Sequence, residues 1–375
     1  MYLLLFLVKE EELADNHQQL NKLLAESGVS KIVYALVMPE TESTIDRVLD
    51  GNSEERELGR EKFHSLFREA WTQKQDAVHE RFFRTWKEWS SSIVRFDADG
   101  FPFAYPTSGA SEALRESIHA YGARARQEKF IPKIHLFDGE YEGFSAYAAA
   151  AGIEVVSHNR RSWNDAIDAI GPKTQFYLSQ PSSIDGMVWD DFDNFVKALH
   201  TKVPSAELML DLTYVGCVRR EFFINAEHSN ISAIFFSLSK PAGVYYHRIG
   251  GMYSRKEYPG LFGNKWFKNL TSITIGTEFM SRFGVHELPR KYGAIQQSVI
   301  SNVNRQLALT LIPADIFLLG VGPPSATPSD LERYLLRGSA GEQLVRVCLT
   351  PCMAHAINPK LNPSVTARFY ERIPD

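Results

Sequence analysis

The chain has 375 residues, enough for two or three structural units and a sizeable core. Hydrophobic residues make up 44% and charged residues 23%, and the formal net charge is −4, so nothing argues for a nucleic-acid partner or an anionic membrane surface. The three cysteines, Cys217, Cys348 and Cys352, form no CxxC pair, which speaks against a disulfide framework or structural zinc and fits a reducing, cytoplasmic compartment.

Met1–Val8 is apolar but short, lacks a basic flank and runs into Lys9-Glu10-Glu11-Glu12, which predicts a buried first strand rather than a signal peptide or membrane span. Residues 9–28 place Leu13, Leu20, Leu23 and Leu24 among polar residues, the pattern of an amphipathic helix. Lys31–Met38 reads as a strand ended by Pro39. Over residues 54–92, Phe63, Leu66, Phe67, Trp71, Phe82, Phe83 and Trp86 recur at three- and four-residue spacings, predicting one or two long helices with a core-facing aromatic stripe.

From residue 100 the texture changes. Short apolar runs at Lys133–Phe137, Ile153–Ser157, Gln175–Leu178, Glu207–Leu210 and Ala233–Phe236 alternate with helical or polar stretches. This predicts an α/β fold with a mostly parallel sheet covered on both faces, whose ligands sit at the carboxyl ends of the strands. Gly320–Asp330 reads as a loop and Leu344–Leu349 as a further strand stopped by Pro351. The tail from Asn358 carries no clear element.

Ser237-Leu238-Ser239-Lys240 closes the run that begins near Ala233, and Arg248 follows before Gly250-Gly251. A lysine is costly to bury unless paired or chemically used, and a neutral lysine amine forms Schiff bases. Hydroxyls and a guanidinium suit a phosphate. On spacing alone, a surface lysine after a strand explains the stretch equally well.

The stretch SLSKPAGVYYHRIG resembles the lysine motif of the class I and II aminotransferases. The resemblance implies that Lys240 holds pyridoxal 5′-phosphate (PLP) as a Schiff base, with Ser237 and Arg248 on its phosphate. Other segments resemble family blocks in the same order. Tyr105–Ala113 is similar to the phosphate loop that opens a helix, implicating Ser108, Gly109 and Ala110. Phe137–Phe144 is similar to the segment carrying a ring-stacking aromatic, here Tyr141, with Phe144 as the other option. Asp211-Leu212-Thr213-Tyr214 is similar to the Asp-x-x-Tyr that holds the pyridine nitrogen and ring oxygen. Val345-Arg346-Val347 resembles the late arginine that grips the substrate carboxylate. One departure stands out: where the family has Asn-Pro-x-Asn-Pro-x-Gly, this chain reads Gln180-Pro181-Ser182-Ser183-Ile184-Asp185-Gly186, so Ser183 replaces an asparagine.

The resemblance implies the three-layer, mostly parallel (mixed) sheet of PLP-dependent transferase fold type I, with a small α/β domain from the chain ends. The expected division is a mostly helical segment at 1–95, a PLP-binding domain at 96–290 and a small domain at 291–375. A homodimer and no resident metal are also expected. The implied reaction converts an amino acid to its 2-oxo acid, with Lys240 as general base, Asp211 holding the pyridinium proton and Tyr214 on the ring oxygen. A lyase, decarboxylase, cyclase or oxidase of the same fold is the alternative, and a non-catalytic binding module is a third. His135, His228, His247 and His286 have no metal-ligand spacing, and Arg282 is a candidate for selecting an acidic side chain.

Overall fold

The computed structural model describes residues 16–49, 65, 68, 76–267, 269–339 and 342–358. Its centre is a seven-stranded sheet. The strands are β1 (Phe103–Thr107), β2 (Lys133–Phe137), β3 (Glu154–His158), β4 (Gln175–Ser179), β5 (Glu207–Asp211), β6 (Ile231–Ser237) and β7 (Gly250–Ser254). They lie in the order β1-β7-β6-β5-β4-β2-β3. Only β7 opposes the rest, pairing antiparallel with both β1 and β6. The other ladders are parallel.

Side-chain alternation explains why these strands are apolar throughout. Phe176 and Leu178 of β4, Leu208 and Leu210 of β5, and Ile234 and Phe236 of β6 enter one core. The intervening Tyr177, Met209, Ala233 and Phe235 enter a second core on the opposite face. A strand covered on both faces buries every side chain, as β4, β5 and β6 do. Edge strand β3 has no fully buried residue.

Helix α1 (Pro39–Leu49) and α2 (Asp76–Ser90) precede the sheet. Between strands come α3 (Ala110–Glu128), α4 (Glu142–Ala150), α5 (Trp163–Asp168) and α6 (Phe192–Lys202). Leu114, Ile118 and Tyr121 of α3 and Phe144 of α4 line the second core. Phe192, Phe195 and Leu199 of α6, with Phe82, Phe83 and Trp86 of α2, line the first. Trp86 stacks on Phe236 at 4.1 Å and 18°. The expected aromatic stripe is therefore core over α2, whereas Phe63, Leu66, Phe67 and Trp71 lie outside the described residues.

After the sheet come α7 (Leu270–Arg282), α8 (Glu287–Gly293) and α9 (Gln296–Leu307). A four-stranded antiparallel sheet follows, built from β8 (Ile312–Pro313), β9 (Leu319–Gly322), β10 (Leu336–Arg337) and β11 (Leu344–Cys348). Helices α10 (Asp330–Leu335) and α11 (Thr350–Ile357) flank it. A backbone bridge from Ser30 to Cys348 ties the early chain to β11.

Three sequence expectations need correction or fall outside the structure. Lys31–Met38 is extended chain, not a strand, because its polar groups go to scattered partners: Tyr34 N–H donates to Cys348 Sγ at 3.3 Å, and Thr350 Oγ1 donates to the Tyr34 carbonyl at 3.1 Å. Pro351 opens a helix rather than merely stopping a strand, since the first helical turn needs no proline N–H. The predicted strand Met1–Val8 lies outside the described residues, whereas the predicted helix over 9–28 is helical from residue 16 to 26. Among the described residues, no helix is long and apolar enough to cross a membrane.

Candidate active site

Parallel strands end in a row, so the residues after them share one edge of the sheet. At this edge lie Ser179 at the end of β4 and Ser183 after it, Asp211 at the end of β5, and Ser237 and Lys240 at and after the end of β6.

Lys240 is only partly exposed, and its Nζ donates to the backbone carbonyl of Val33 in the extended segment above it. Burial pushes its pKa down to about 8; the nearby Cys348 and Cys217 thiols oppose the shift, and Arg248 and Arg346 add to it.

Gly109 marks a cradle. It sits at φ 74° as the N-cap of the 19-residue helix α3, with no side-chain cap. A Cβ there would come within 2.9 Å of Arg248 Nη2 and 3.3 Å of Ser237 Oγ. A hydroxyl, a guanidinium and a helix N-terminus thus converge where only glycine fits, which is the chemistry of a phosphate site. Arg248 is itself left-handed, at φ 51°, and its Nη2 donates to the Ser108 carbonyl at 2.8 Å. The Ser108 N–H donates to Glu112 Oε2 at 2.5 Å, so an anion would compete with Glu112 for that amide. Ala110 begins the helix and is buried.

Tyr141 caps α4 with its side chain 37% exposed, whereas Phe144 is fully buried in the second core. Of the two aromatic candidates, Tyr141 is therefore the one that can meet a ligand. Its ring lies edge-on to Phe144 at 5.7 Å, and a Cβ on Gly143 would collide with it at 2.2 Å. Burial pushes the phenol up to about 12, with Asp211 among the contributing charges.

Asp211 accepts from Thr213 N at 2.9 Å and Thr213 Oγ1 at 2.6 Å, both on Oδ1. Burial pushes its pKa up to about 6, and the Glu140 carboxyl adds to the shift. Tyr214 is buried beside it; burial raises the phenol, and Arg346 opposes.

Arg346 projects from the middle of β11 and is 4% exposed. Its Nη1 donates to the Ser183 carbonyl, its Nε has no partner, and among the described residues no carboxylate lies within ion-pair distance of it. Burial pushes even this guanidinium down to about 10, with Arg337 adding to the effect. A buried cation with an unpaired N–H and no counter-ion is a site for an anion.

The predicted residues therefore gather at one edge of the sheet. The sequence reading missed one member. Glu140, 5% exposed, accepts from Ser179 N at 3.1 Å, Ser179 Oγ at 2.6 Å and Ser183 Oγ at 2.5 Å. Its signal was an acid directly before Tyr141 in a segment following a buried strand. Arg282 is not part of the site: it donates to Thr44 Oγ1 at 3.1 Å and Ser43 Oγ at 3.4 Å of α1. His135 pairs with His158 at 2.8 Å, at the far edge of the sheet. Among the described residues, no His, Cys, Asp or Glu cluster is arranged to hold a metal.

No family model matches the chain, and no curated protein matches it in sequence. Solved structures do match in shape. An aspartate aminotransferase from Thermus thermophilus aligns at TM-score 0.57 and 13% identity, over 82% of this chain and 87% of that one. The aminotransferase from Erwinia carotovora assigned to histidinol phosphate gives 0.55 and 14%, over 90% and 93%. The PLP-bound C-S lyase from Staphylococcus hominis gives 0.58 and 10%, over 78% and 82%. The likeness establishes the fold, that of the PLP-dependent transferases of fold type I.

Proposed function

We propose that this chain is a PLP enzyme that transfers the amino group of an amino acid to a 2-oxo acid. The carrying observation is the convergence of a low-pKa lysine, a buried aspartate, a phosphate cradle and an uncompensated buried arginine at one sheet edge. Amino-acid chemistry with PLP needs these four functions: an amine, a partner for a ring nitrogen, a phosphate grip and a carboxylate grip. The residues fit the group, since the space a Gly109 Cβ would fill is flanked by Ser237 and Arg248.

In this reading Ser237, Arg248 and the start of α3 would hold the phosphate, Tyr141 would lie on the ring, and Asp211 and Tyr214 would meet its nitrogen and oxygen. Lys240 would hold the cofactor covalently through Nζ. Bound there, PLP supplies an electron sink for the bond broken at the substrate α-carbon. Arg346 binds the substrate carboxylate through its paired N–H donors and so orients the α-carbon toward Lys240. Lys240, once released by the incoming amine, takes the α-proton on Nζ; a pKa near 8 leaves a useful neutral fraction at neutral pH. Asp211 keeps a proton on the ring nitrogen. The buried surround formed by Tyr214, Cys217 and Cys348 limits water at Nζ.

The resemblance carries three further parts of this proposal: a homodimer, a cytoplasmic location and the three-part domain division. A lyase outcome is the second reading, supported by the C-S lyase among the matching folds. The test is product analysis: protein loaded with PLP and given an amino acid releases the matching 2-oxo acid and leaves the amine form of the cofactor. Release of a side-chain fragment with ammonia would select the lyase instead.

A further inference from the structure

Among the described residues, the buried acid Glu140 has no basic ion-pair partner. Its Oε1 faces an N–H donor, Ser179 N at 3.1 Å. Its Oε2 accepts from two hydroxyls, Ser179 Oγ at 2.6 Å and Ser183 Oγ at 2.5 Å, and more distantly from the Tyr141 N–H at 3.4 Å. Ser179 Oγ also accepts from Ser183 N at 2.7 Å, which fixes this loop against β4. A carboxylate in this position takes the protons of both hydroxyls, leaving Ser183 only lone pairs for the cavity. A protonated carboxyl donates from Oε2 to Ser183 Oγ and still accepts from Ser179; the Ser183 proton is then free to turn outward. One proton on Glu140 thus inverts the hydrogen-bonding sense of Ser183.

This inference rests on the function proposed above. A PLP ring held by its nitrogen at Asp211, its phosphate at Arg248 and its carbonyl carbon at Lys240 has one polar ring atom left, the phenolic oxygen. In that pose Ser183, whose carbonyl accepts from Arg346, and Tyr214, which feels the Arg346 and Asp211 charges, would be the hydroxyls available to it. We propose that Glu140 is a positioning residue whose protonation, relayed by Ser183, sets whether this wall gives or takes a hydrogen bond at the cofactor's phenolic oxygen.

The groups facing Glu140 bear on when it titrates. They are Asp211 at the end of β5, Tyr141 on its own segment, and Arg160 after β3, which is held by Asp185 and donates to Ser182 Oγ at 2.9 Å. Arg346 reaches the same loop through the Ser183 carbonyl. Burial raises the Glu140 pKa and Arg160 opposes, so the switch falls above the usual carboxylate range.

The experiment is a pH titration of the visible band of PLP-loaded protein, with Lys240→Ala as the blank. A donor at the phenolic oxygen favours its anion and lowers the midpoint of the band. In Glu140→Gln, the Ser179 N–H at 3.1 Å, nearer than the Tyr141 N–H at 3.4 Å on the other oxygen, favours the amide oxygen at the Oε1 position, so the NH2 group faces both hydroxyls and Ser183 becomes a donor. The expected midpoint falls by about one unit, tenfold in the protonation equilibrium. Ser183→Ala removes the lone pairs that an ionised Glu140 turns toward the phenolic oxygen and lowers the midpoint, and in that background Glu140→Gln moves it by a third of the wild-type shift or less. Equal shifts in both backgrounds, or no shift from Glu140→Gln, overturn the relay. If Glu140→Gln does not fold, Ser183→Ala decides alone: a lowered midpoint supports the relay, and an unmoved or raised midpoint overturns it. Absence of a Lys240-dependent band in the wild type overturns the proposed function itself, whereas a band that ignores Glu140 overturns only this inference.

Discussion

Asp211 shows how a candidate site residue works against stability. Its folded pKa stands near 6 against an ordinary value of 3.8, chiefly because burial penalises the charged carboxylate. The group binds its proton more tightly when folded, so its contribution is present below pH 3.8 and is lost as pH rises through about 6. Above that pH the buried charge costs about 3 kcal/mol. Asp211→Asn is therefore expected to raise the stability of PLP-free protein at pH 8, read by denaturant unfolding, with little gain at pH 4. The same variant loses turnover, because a neutral amide holds the ring proton poorly. Arg346 makes a complementary prediction. Arg346→Lys keeps the charge but loses the paired donors, so KM for the amino acid rises at least about tenfold, corresponding to about 1.4 kcal/mol, while PLP binding is unchanged. Equal losses in both would place Arg346 in the folding core rather than at the substrate.

At the scale of elements, the start of α3 and the strand–lysine segment hold each other. Gly109 and Gly250 lie so close that a Cβ on Gly250 would meet Gly109 Cα at 2.7 Å. Gly109→Ala puts a methyl at φ 74° against Arg248 and Ser237, costing about 1–2 kcal/mol in backbone strain and pushing the phosphate ligands apart. The expected result is a Kd for PLP raised at least about tenfold with the fold intact by circular dichroism. In α2, Trp86→Ala removes a buried ring stacked on Phe236 and is expected to cost about 3–5 kcal/mol of stability without altering the site directly. These elements differ in how far the sequence announced them. Apolar runs such as Gln175–Leu178 were legible because strands buried on both faces tolerate no polar alternation. Strand β1, with Pro106 inside it, and β7, with its two glycines, were not singled out. Lys31–Met38 looked like a strand but has no ladder partner over its length. Lys240, Asp211 and Arg346 stand in ordered sequence blocks, and the fold brings them to one sheet edge. Glu140 was not legible, because its partners are two serine hydroxyls that only the fold brings together.

Across the whole molecule, the site joins parts far apart in sequence. Val33 from the early chain, Lys240 after β6 and Arg346 on β11 meet at one sheet edge, so the small sheet and the extended early segment complete what the large sheet begins. Closing such long loops gives a chain of this kind high contact order, and the site forms only when the complete fold does. The most direct measurement is the visible spectrum of the purified protein with PLP, before and after each of a panel of amino acids, with Lys240→Ala alongside. The expected result is a Lys240-dependent yellow band that one class of amino acid bleaches as the matching 2-oxo acid appears. A wild-type spectrum indistinguishable from that of Lys240→Ala would contradict the central claim.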